Sequence, residues 1–328
     1  MIMSLVVEFY GVRGSLPFNI SPTETAENFR QMMFDFFNSG FTQVSEFDQY
    51  IKTKHIPTLG GYGTHTTCVS IESKKTEIII DGGTGIRALG KKLMKKEFSS
   101  GQGECHIFMT HFHWDHILGL PFFEPAYVAG NKIHIYSVQP EVRTFIETVL
   151  SFPYNPYPHG WKCDVQFHIL LPRTEIQLHD MKITPYQLDH PDPCWGYKIE
   201  SGGKVYSHAT DTEATRVSRK SLGLDLPFYQ GVDLIFFDGQ YTLKDLAEKI
   251  NWGHSAAQIG LDLAIREGIK KIVFSHHDPL ANSQRIKALE RQTEEYYEWR
   301  IEQARRNKEQ INEVDWSFSY EGQRIELK

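Results

Sequence analysis

The sequence predicts an α/β domain in which two β-sheets are sandwiched between helices. Short apolar, β-prone segments recur from residue 5 to residue 275. Segments with helical spacing of apolar residues interrupt runs of these strands instead of alternating with them one for one. No repeat, low-complexity tract or flexible linker divides the 328 residues, so a single domain accounts for the chain.

The first strand is expected at 5–10, closed by Gly11-Val12-Arg13-Gly14-Ser15. Residues 22–55 read as helical, with Ala26, Phe29, Met32, Met33, Phe36 and Phe37 at helical spacing. Gly60-Gly61-Tyr62-Gly63 turns the chain into two strands, 67–72 and 77–80, consistent with a hairpin. Asp81-Gly82-Gly83-Thr84-Gly85 leads into a helix near 86–97, on which Lys91, Lys92, Lys95 and Lys96 form a solvated face. A strand at 106–109 follows, with a histidine-rich segment at its C-terminal end. Further strands are expected near 133–136, 166–170, 181–188, 197–200, 204–207, 233–237 and 271–275. Helices are expected near 141–150, 212–220, 243–248, 255–267 and 283–310. The last carries an apolar stripe including Ile286, Leu289 and Ile301, available for core packing or for a homodimer contact.

Composition narrows the function classes. Apolar residues are 40% and charged residues 23%, an ordinary globular balance. A net charge of −6 argues against a protein that wraps long nucleic acid, yet permits a small anionic substrate beside a cation. Cys68, Cys105, Cys163 and Cys194 form no CxxC pair, so neither a zinc knuckle nor a disulfide framework is expected. No signal-type N-terminus and no apolar run of spanning length occurs, which makes a cytoplasmic protein without a membrane partner the expectation. There is no Walker-type loop and no dinucleotide fingerprint.

The chemistry concentrates in Thr110-His111-Phe112-His113-Trp114-Asp115-His116. Two imidazoles one residue apart at a strand end can point to one metal, and the Asp and next His can face a second. Neutral imidazoles with carboxylates suit zinc, and also manganese or iron. Three further candidates each follow an apolar strand: His190, Asp211 and His276. Ligands on strand ends are held rigidly, as a catalytic site needs.

With these residues assembled, the chain resembles the metallo-β-lactamase-fold hydrolases, in the branch of ribonuclease Z, phosphonate-pathway phosphodiesterases and cyclic-nucleotide phosphodiesterases. The resemblance implies a single αββα sandwich over 1–328, with a helical insert at about 19–58 and a long C-terminal helix at about 283–310. It implies that His111, His113 and His190 bind one metal, that Asp115, His116 and His276 bind another, and that Asp211 bridges both. His277 follows His276 directly, so the last ligand is open by one residue; the family pattern of apolar strand, Ser/Thr and His favours His276. Trp252-Gly253-His254-Ser255-Ala256-Ala257 is similar to the branch's His-Ser-Thr box, with Ala256 where Thr is usual. That implies a catalytic role for His254 near the scissile phosphate. The competing role is local: Ser255 opens the 255–267 helix as an N-cap, with His254 just before it.

The same resemblance makes Asp81 a support for a ligand histidine and Tyr241 a packing residue within a branch motif. Arg13 is expected to brace either the site or a loop. His65 stands where relatives carry Asn, with structural and substrate-facing roles both open. The implied reaction is hydrolysis of a small phosphodiester, a cyclic nucleotide above all, with two divalent ions lowering the pKa of a shared water, Asp115 orienting it and His254 serving the leaving oxygen. The aromatic, proline-rich stretch 152–161 could lie over a nucleobase or simply pack on the surface. The alternatives are hydrolysis of a carboxylic ester, lactone or thioester on the same metals, and a catalytically silent metal-binding sensor domain.

Overall fold

A computed structural model describes residues 5–54, 56–155 and 160–328 of the chain. Among them two sheets of seven strands lie face to face with helices on both outer surfaces. The first sheet contains β1 (Leu5–Gly11), β2 (Cys68–Glu72), β3 (Glu77–Ile80), β4 (Glu104–Phe108), β5 (Lys132–Ser137) and β6 (Asp164–Ile169). The second contains β7 (Ile176–Leu178), β8 (Met181–Gln187), β9 (Trp195–Ser201), β10 (Lys204–Ala209), β11 (Leu234–Asp238), β12 (Lys271–Ser275) and β13 (Asp315–Phe318). The chain then returns to the first sheet as β14 (Arg324–Leu327), antiparallel to β1.

Each sheet begins as an antiparallel meander and ends in parallel strands. In the first, β1 to β3 are antiparallel and β3 to β6 parallel. In the second, β7 to β10 are antiparallel and β10 to β13 parallel. The central parallel strand β11 is buried on both faces, which is why it reads Leu-Ile-Phe-Phe without polar alternation. The period of two still sorts its side chains: Leu234 and Phe236 enter the core between the sheets, Ile235 and Phe237 the core beneath the outer helices. Between the sheets Phe9 stacks on Phe236 at 5.7 Å and Phe108 meets Tyr197 edge-on at 5.3 Å. Burial of each such ring contributes roughly 1.5–3 kcal/mol.

The helices Ile86–Leu93 and Val142–Val149 cover the first sheet through Ile86, Leu89, Leu93, Val142 and Ile146. Ala257–Glu267 and Ser283–Asn307 cover the second through Leu261, Ala264, Ile286 and Leu289. Packing of the apolar stripe of Ser283–Asn307 on the core therefore involves Ile286 and Leu289.

Several elements differ from the sequence expectation. The expected helix at 22–55 is broken. Pro22–Asn38, opened by a capping box between Ser21 and Glu24, stops at Ser39-Gly40, where Gly40 takes φ +85°. Shorter helices Phe47–Lys52 and Ile56–Gly60 follow. The expected helix at 212–220 is absent before Arg219–Leu222. Asp189 takes the backbone N–H groups of Glu213 and, through its carboxylate, of Arg216, and Ala214 sits at φ +48°. The helix opening at Ser255 also fails: the N-cap is Ala256, with no side-chain cap, and the Ser255 hydroxyl has no hydrogen-bond partner among the described residues. Of the aromatic stretch 152–161, Pro156 to His159 lie outside the described residues; Phe152 is exposed, and Trp161 packs against the outer core of the first sheet. No helix among the described residues is long and apolar enough to cross a membrane.

Candidate metal centre

The residues singled out by the motif lie where parallel strands of both sheets end on the same side. β4 leads to Thr110 and His111, β8 to His190, β10 to Asp211, β11 to Asp238 and β12 to His276. Three of the acidic and imidazole residues at these ends leave the strand in the left-handed region: Asp81 at φ +62°, Asp211 at +49° and His276 at +61°. That conformation is uncommon for a residue with a Cβ and is held only where surrounding contacts determine it.

Asp81 organises the motif loop. Its carboxylate accepts from the Thr110 N–H at 2.9 Å and the Thr110 hydroxyl at 2.8 Å. It also receives Nδ1 of His116 at 2.7 Å, which turns His116 Nε2 toward Asp115 and Asp211, each 3.3 Å away. The neighbouring loop contributes Ser15, whose N–H donates to Asp115 Oδ2 at 2.8 Å.

Two ligand groups converge. The potential donor atoms of His111, His113, His190 and Asp211 lie within 4.8 Å of one another, as do those of Asp115, His116, Asp211 and His276. Asp211 belongs to both groups. Its Oδ2 faces His111 Nε2 at 3.5 Å, while Oδ1 faces His276 Nε2 at 3.0 Å and His116 Nε2 at 3.3 Å. The second group is buried throughout; the first opens to solvent at His113, whose Nε2 meets Asp192 at 2.9 Å.

The electrostatics show a site short of positive charge. Burial opposes ionisation of Asp211 and Asp115, yet the adjoining His276 and His116 hold both carboxyls well below the usual range. Burial likewise opposes charge on His276, but Asp211 and then Asp115 outweigh it and raise the imidazole to about 10. His116 is raised for the same reason, by Asp115, Asp211 and Asp81 against its burial. His111 and His190, where burial dominates, are lowered and stay neutral as metal ligation requires. A divalent ion would replace the protons that these carboxylates call for.

The donor set passes a direct test of fit. Nε2 of His111 is buried with no hydrogen-bond partner among the described residues, beside Asp211 Oδ2. An orphaned buried nitrogen is costly, and ligation of a cation removes the cost. The seven residues His111, His113, Asp115, His116, His190, Asp211 and His276 are those that could hold a divalent ion.

His254 lies beside these groups. Its Nδ1 meets Asp238 Oδ2 at 2.8 Å, and its ring is 4.9 Å from that of His276. Although Asp238, His254 and His276 also converge, Asp238 stands 3.8 Å from Nδ1 of His276, on the far side of that ring from Asp211. Gln240 Oε1 takes the His276 Nδ1 position at 2.9 Å, and Gln240 Nε2 donates to the Tyr241 hydroxyl at 3.2 Å. Tyr241 thus anchors Gln240 and meets His254 edge-on at 5.6 Å.

His277 turns away from the ligands. Its Nε2 donates to the Ser319 carbonyl at 2.8 Å, and burial and Arg13 lower its pKa to about 3. Arg13 ties loops together, donating to the carbonyls of Gly63, Asp278 and Ala281 at 2.8, 3.1 and 2.6 Å. His65, half-buried, reaches the Thr84 hydroxyl at 3.3 Å. Sequence reasoning missed Asp238, Gln240, Asp192 and the Ser15 N–H. Asp238 ends an apolar strand just as Asp211 follows one, a signal that could have found it; the contact of Ser15 depends on a separation of 100 residues and leaves no local trace.

Residues 76–277 match the family model of the beta-lactamase superfamily domain. Ribonuclease Z of Ignicoccus hospitalis is 23% identical over 260 residues, covering 66% of this chain and 82% of its own. Among solved structures, the metallo-beta-lactamase fold protein YhfI from Bacillus subtilis superposes with a TM-score of 0.62 at 13% identity, covering 99% of this chain and 100% of the other. Unliganded yeast PDE1 superposes with a TM-score of 0.57 at 14% identity, with 100% of both chains covered. At such identities the structural likenesses speak for the fold.

Proposed function

The chain belongs to the beta-lactamase superfamily domain family and carries the metallo-β-lactamase hydrolase fold over nearly its whole length, and from that premise we propose that it is a dinuclear-metal phosphodiesterase acting on a small phosphodiester, a cyclic nucleotide above all. The observation that carries the reading is the pair of ligand groups sharing Asp211, with His254 held at their side by Asp238. In this reading His111, His113 and His190 hold one ion, Asp115, His116 and His276 the other, and Asp211 both. Zinc suits the donors best, with manganese or iron(II) also compatible. Bound there, the ions supply an activated water and neutralise charge developing on the phosphoryl oxygens.

The residues do the rest. Asp115, fixed by the Ser15 N–H, would orient the attacking water, which gives up a proton to solvent as the water oxygen bonds to phosphorus and one P–O ester bond breaks. Asp238 holds Nδ1 of His254, which leaves Nε2 to deliver a proton to the departing oxygen. Asp81 and Gln240 fix the Nδ1 side of His116 and His276, so that Nε2 faces the site. Residues 19–58 are read as an insert on a single domain.

A second reading, cleavage of an RNA phosphodiester, draws on the likeness to a protein named ribonuclease Z. The net charge of −6 favours the small substrate over it. Zinc- and manganese-loaded protein incubated with bis-p-nitrophenyl phosphate, cyclic mono- and dinucleotides, a precursor tRNA, and a lactone and thioester panel tests these readings by chromatography. Cyclic nucleotide turnover is expected. Turnover of lactone or thioester with every phosphodiester intact would overturn the proposal, and loss of only the tRNA would favour the second reading.

A further inference from the structure

Two turns beside the proposed centre have no regular structure to hold them. One, Asp211-Thr212-Glu213, follows β10; the other, 251–254, precedes Ala257–Glu267. Left-handed residues shape both. Asp211 takes φ +49° and Ala214 +48° at the first, Asn251 +64° and Gly253 +85° at the second. Such backbone persists where surrounding contacts fix it. The first turn is fixed to the segment before His190, since the Glu213 N–H donates to the Asp189 carbonyl at 2.7 Å.

His254 is held differently on its two sides. Downstream, the Ser255 N–H reaches Asp238 Oδ1 at 3.3 Å, and the Ser255 carbonyl accepts from the Tyr241 N–H at 3.0 Å. Upstream, Ile250 and Trp252 are exposed, and the backbone is caught at Gly253, whose N–H donates to Glu213 Oε1 at 3.1 Å. Asp238 sets the rotation of the His254 ring through Nδ1. A hydrogen bond to the ring leaves open how near the backbone stands to the ligands. Gly253 stands so near that a Cβ there would collide with Cδ2 and Nε2 of His190. The half-buried carboxylate of Glu213 ties it in that place.

We propose that Glu213 is a positioning residue for His254, and that the Asp211-Thr212-Glu213 turn sets the proton donor in register with the carboxylate assigned to both ions. One short segment carries both functions. Asp211 faces His111, His116 and His276, and two residues later Glu213 holds the loop of His254. The inference rests on the phosphodiesterase reading for what His254 does. A misplacement of about 1 Å at a reacting group can cost on the order of 10²-fold in rate, so a single backbone tie is enough to matter.

A series of aryl phosphodiesters graded in leaving-group acidity, from bis-p-nitrophenyl phosphate to diphenyl phosphate, tests this with zinc- or manganese-loaded protein. A nitrophenolate departs with little help from a proton donor, whereas a phenolate needs more. Glu213→Ala should hold as much metal as the wild type by elemental analysis. It should lose roughly 10–100-fold in kcat on the poorest leaving group and far less on the nitrophenyl ester. Glu213→Gln, which keeps an acceptor for the Gly253 N–H, should restore the rate. In a His254→Ala background Glu213→Ala should cost nothing further. Amide hydrogen exchange over 251–255, followed on the metal-free protein, should quicken in Glu213→Ala and not in Glu213→Gln. Unchanged rates, equal losses on every ester, losses that multiply with those of His254→Ala, or unchanged exchange at 251–255 would overturn the assignment. Wild-type protein that cleaves no ester of the series, while exchange quickens in Glu213→Ala, removes the phosphodiesterase reading and leaves Glu213 as the anchor of the loop.

Discussion

Asp211 offers one carboxylate oxygen to His111 and the other to His116 and His276, and Thr210 donates its hydroxyl to Oδ1 at 2.7 Å to hold that orientation. If it bridges two ions, Asp211→Ala should leave both loosely held and abolish turnover; two equivalents of metal in that variant by elemental analysis would mean that the bridge is wrongly assigned. Asp238 and His254 make a different pair, one that works through a proton. His254→Ala should retain metal while turnover falls by about 10²–10⁴-fold. Asp238→Asn should keep metal and protein stability and lower kcat by roughly 10–100-fold, because the carboxylate that fixes the orientation of the His254 ring through Nδ1 is gone. Wild-type kcat in Asp238→Asn would make Asp238 a packing group. These two residues also mark what the sequence conveys at this scale. His254 stands out by its neighbours in the chain, whereas its partner is 16 positions away and is recognised only once β11 and the loop before Ala257–Glu267 meet.

The elements that carry ligands were legible because each joins a run of apolar residues to a ligand-type residue, as in Phe274-Ser275-His276 after Ile272 and Val273. Strands β13 and β14 were not expected. They are four residues each, half-exposed, and alternate with charges, so their pairing with β12 and β1 supplies what local pattern does not. The false helix at 212–220 shows the converse, since Asp189 captures backbone donors that a helix would spend on itself until Ser218 caps Arg219–Leu222. Short segments between elements set the ligand geometry just as firmly. Gly253 lies at φ +85°, and a Cβ there would collide with the His190 ring. Gly253→Ala should therefore displace His190 and weaken the ion held with His111 and His113, while the group around His276 keeps its own. Metal content should fall toward one equivalent, with a modest loss in Tm. Undiminished metal content and full activity would show that the loop yields without consequence.

At the scale of the whole molecule, apolar packing joins the two sheets, and the proposed ligand ends lie at one edge of that seam. His111, Asp115 and His116 follow a strand of the first sheet; His190, Asp211 and His276 follow strands of the second. Without a cation, four of these groups form a buried set of carboxylates and protonated imidazoles, and paired burial of that kind returns little net stability. Ions bound across the seam add stability by mass action, about 2.7 kcal/mol at a hundredfold excess over Kd and about 4.1 at a thousandfold. For a chain of this length such an increment amounts to a few degrees in Tm. Chelation should lower Tm by that order, zinc or manganese should restore it, and Asp211→Ala should show little response to either. The comparison separates a structural seam from a loosely attached catalytic ion. If the wild-type Tm is the same with and without chelator while activity comes and goes with metal, the two sheets are locked by their apolar core alone, and the centre is free to exchange its ions without disturbing the fold.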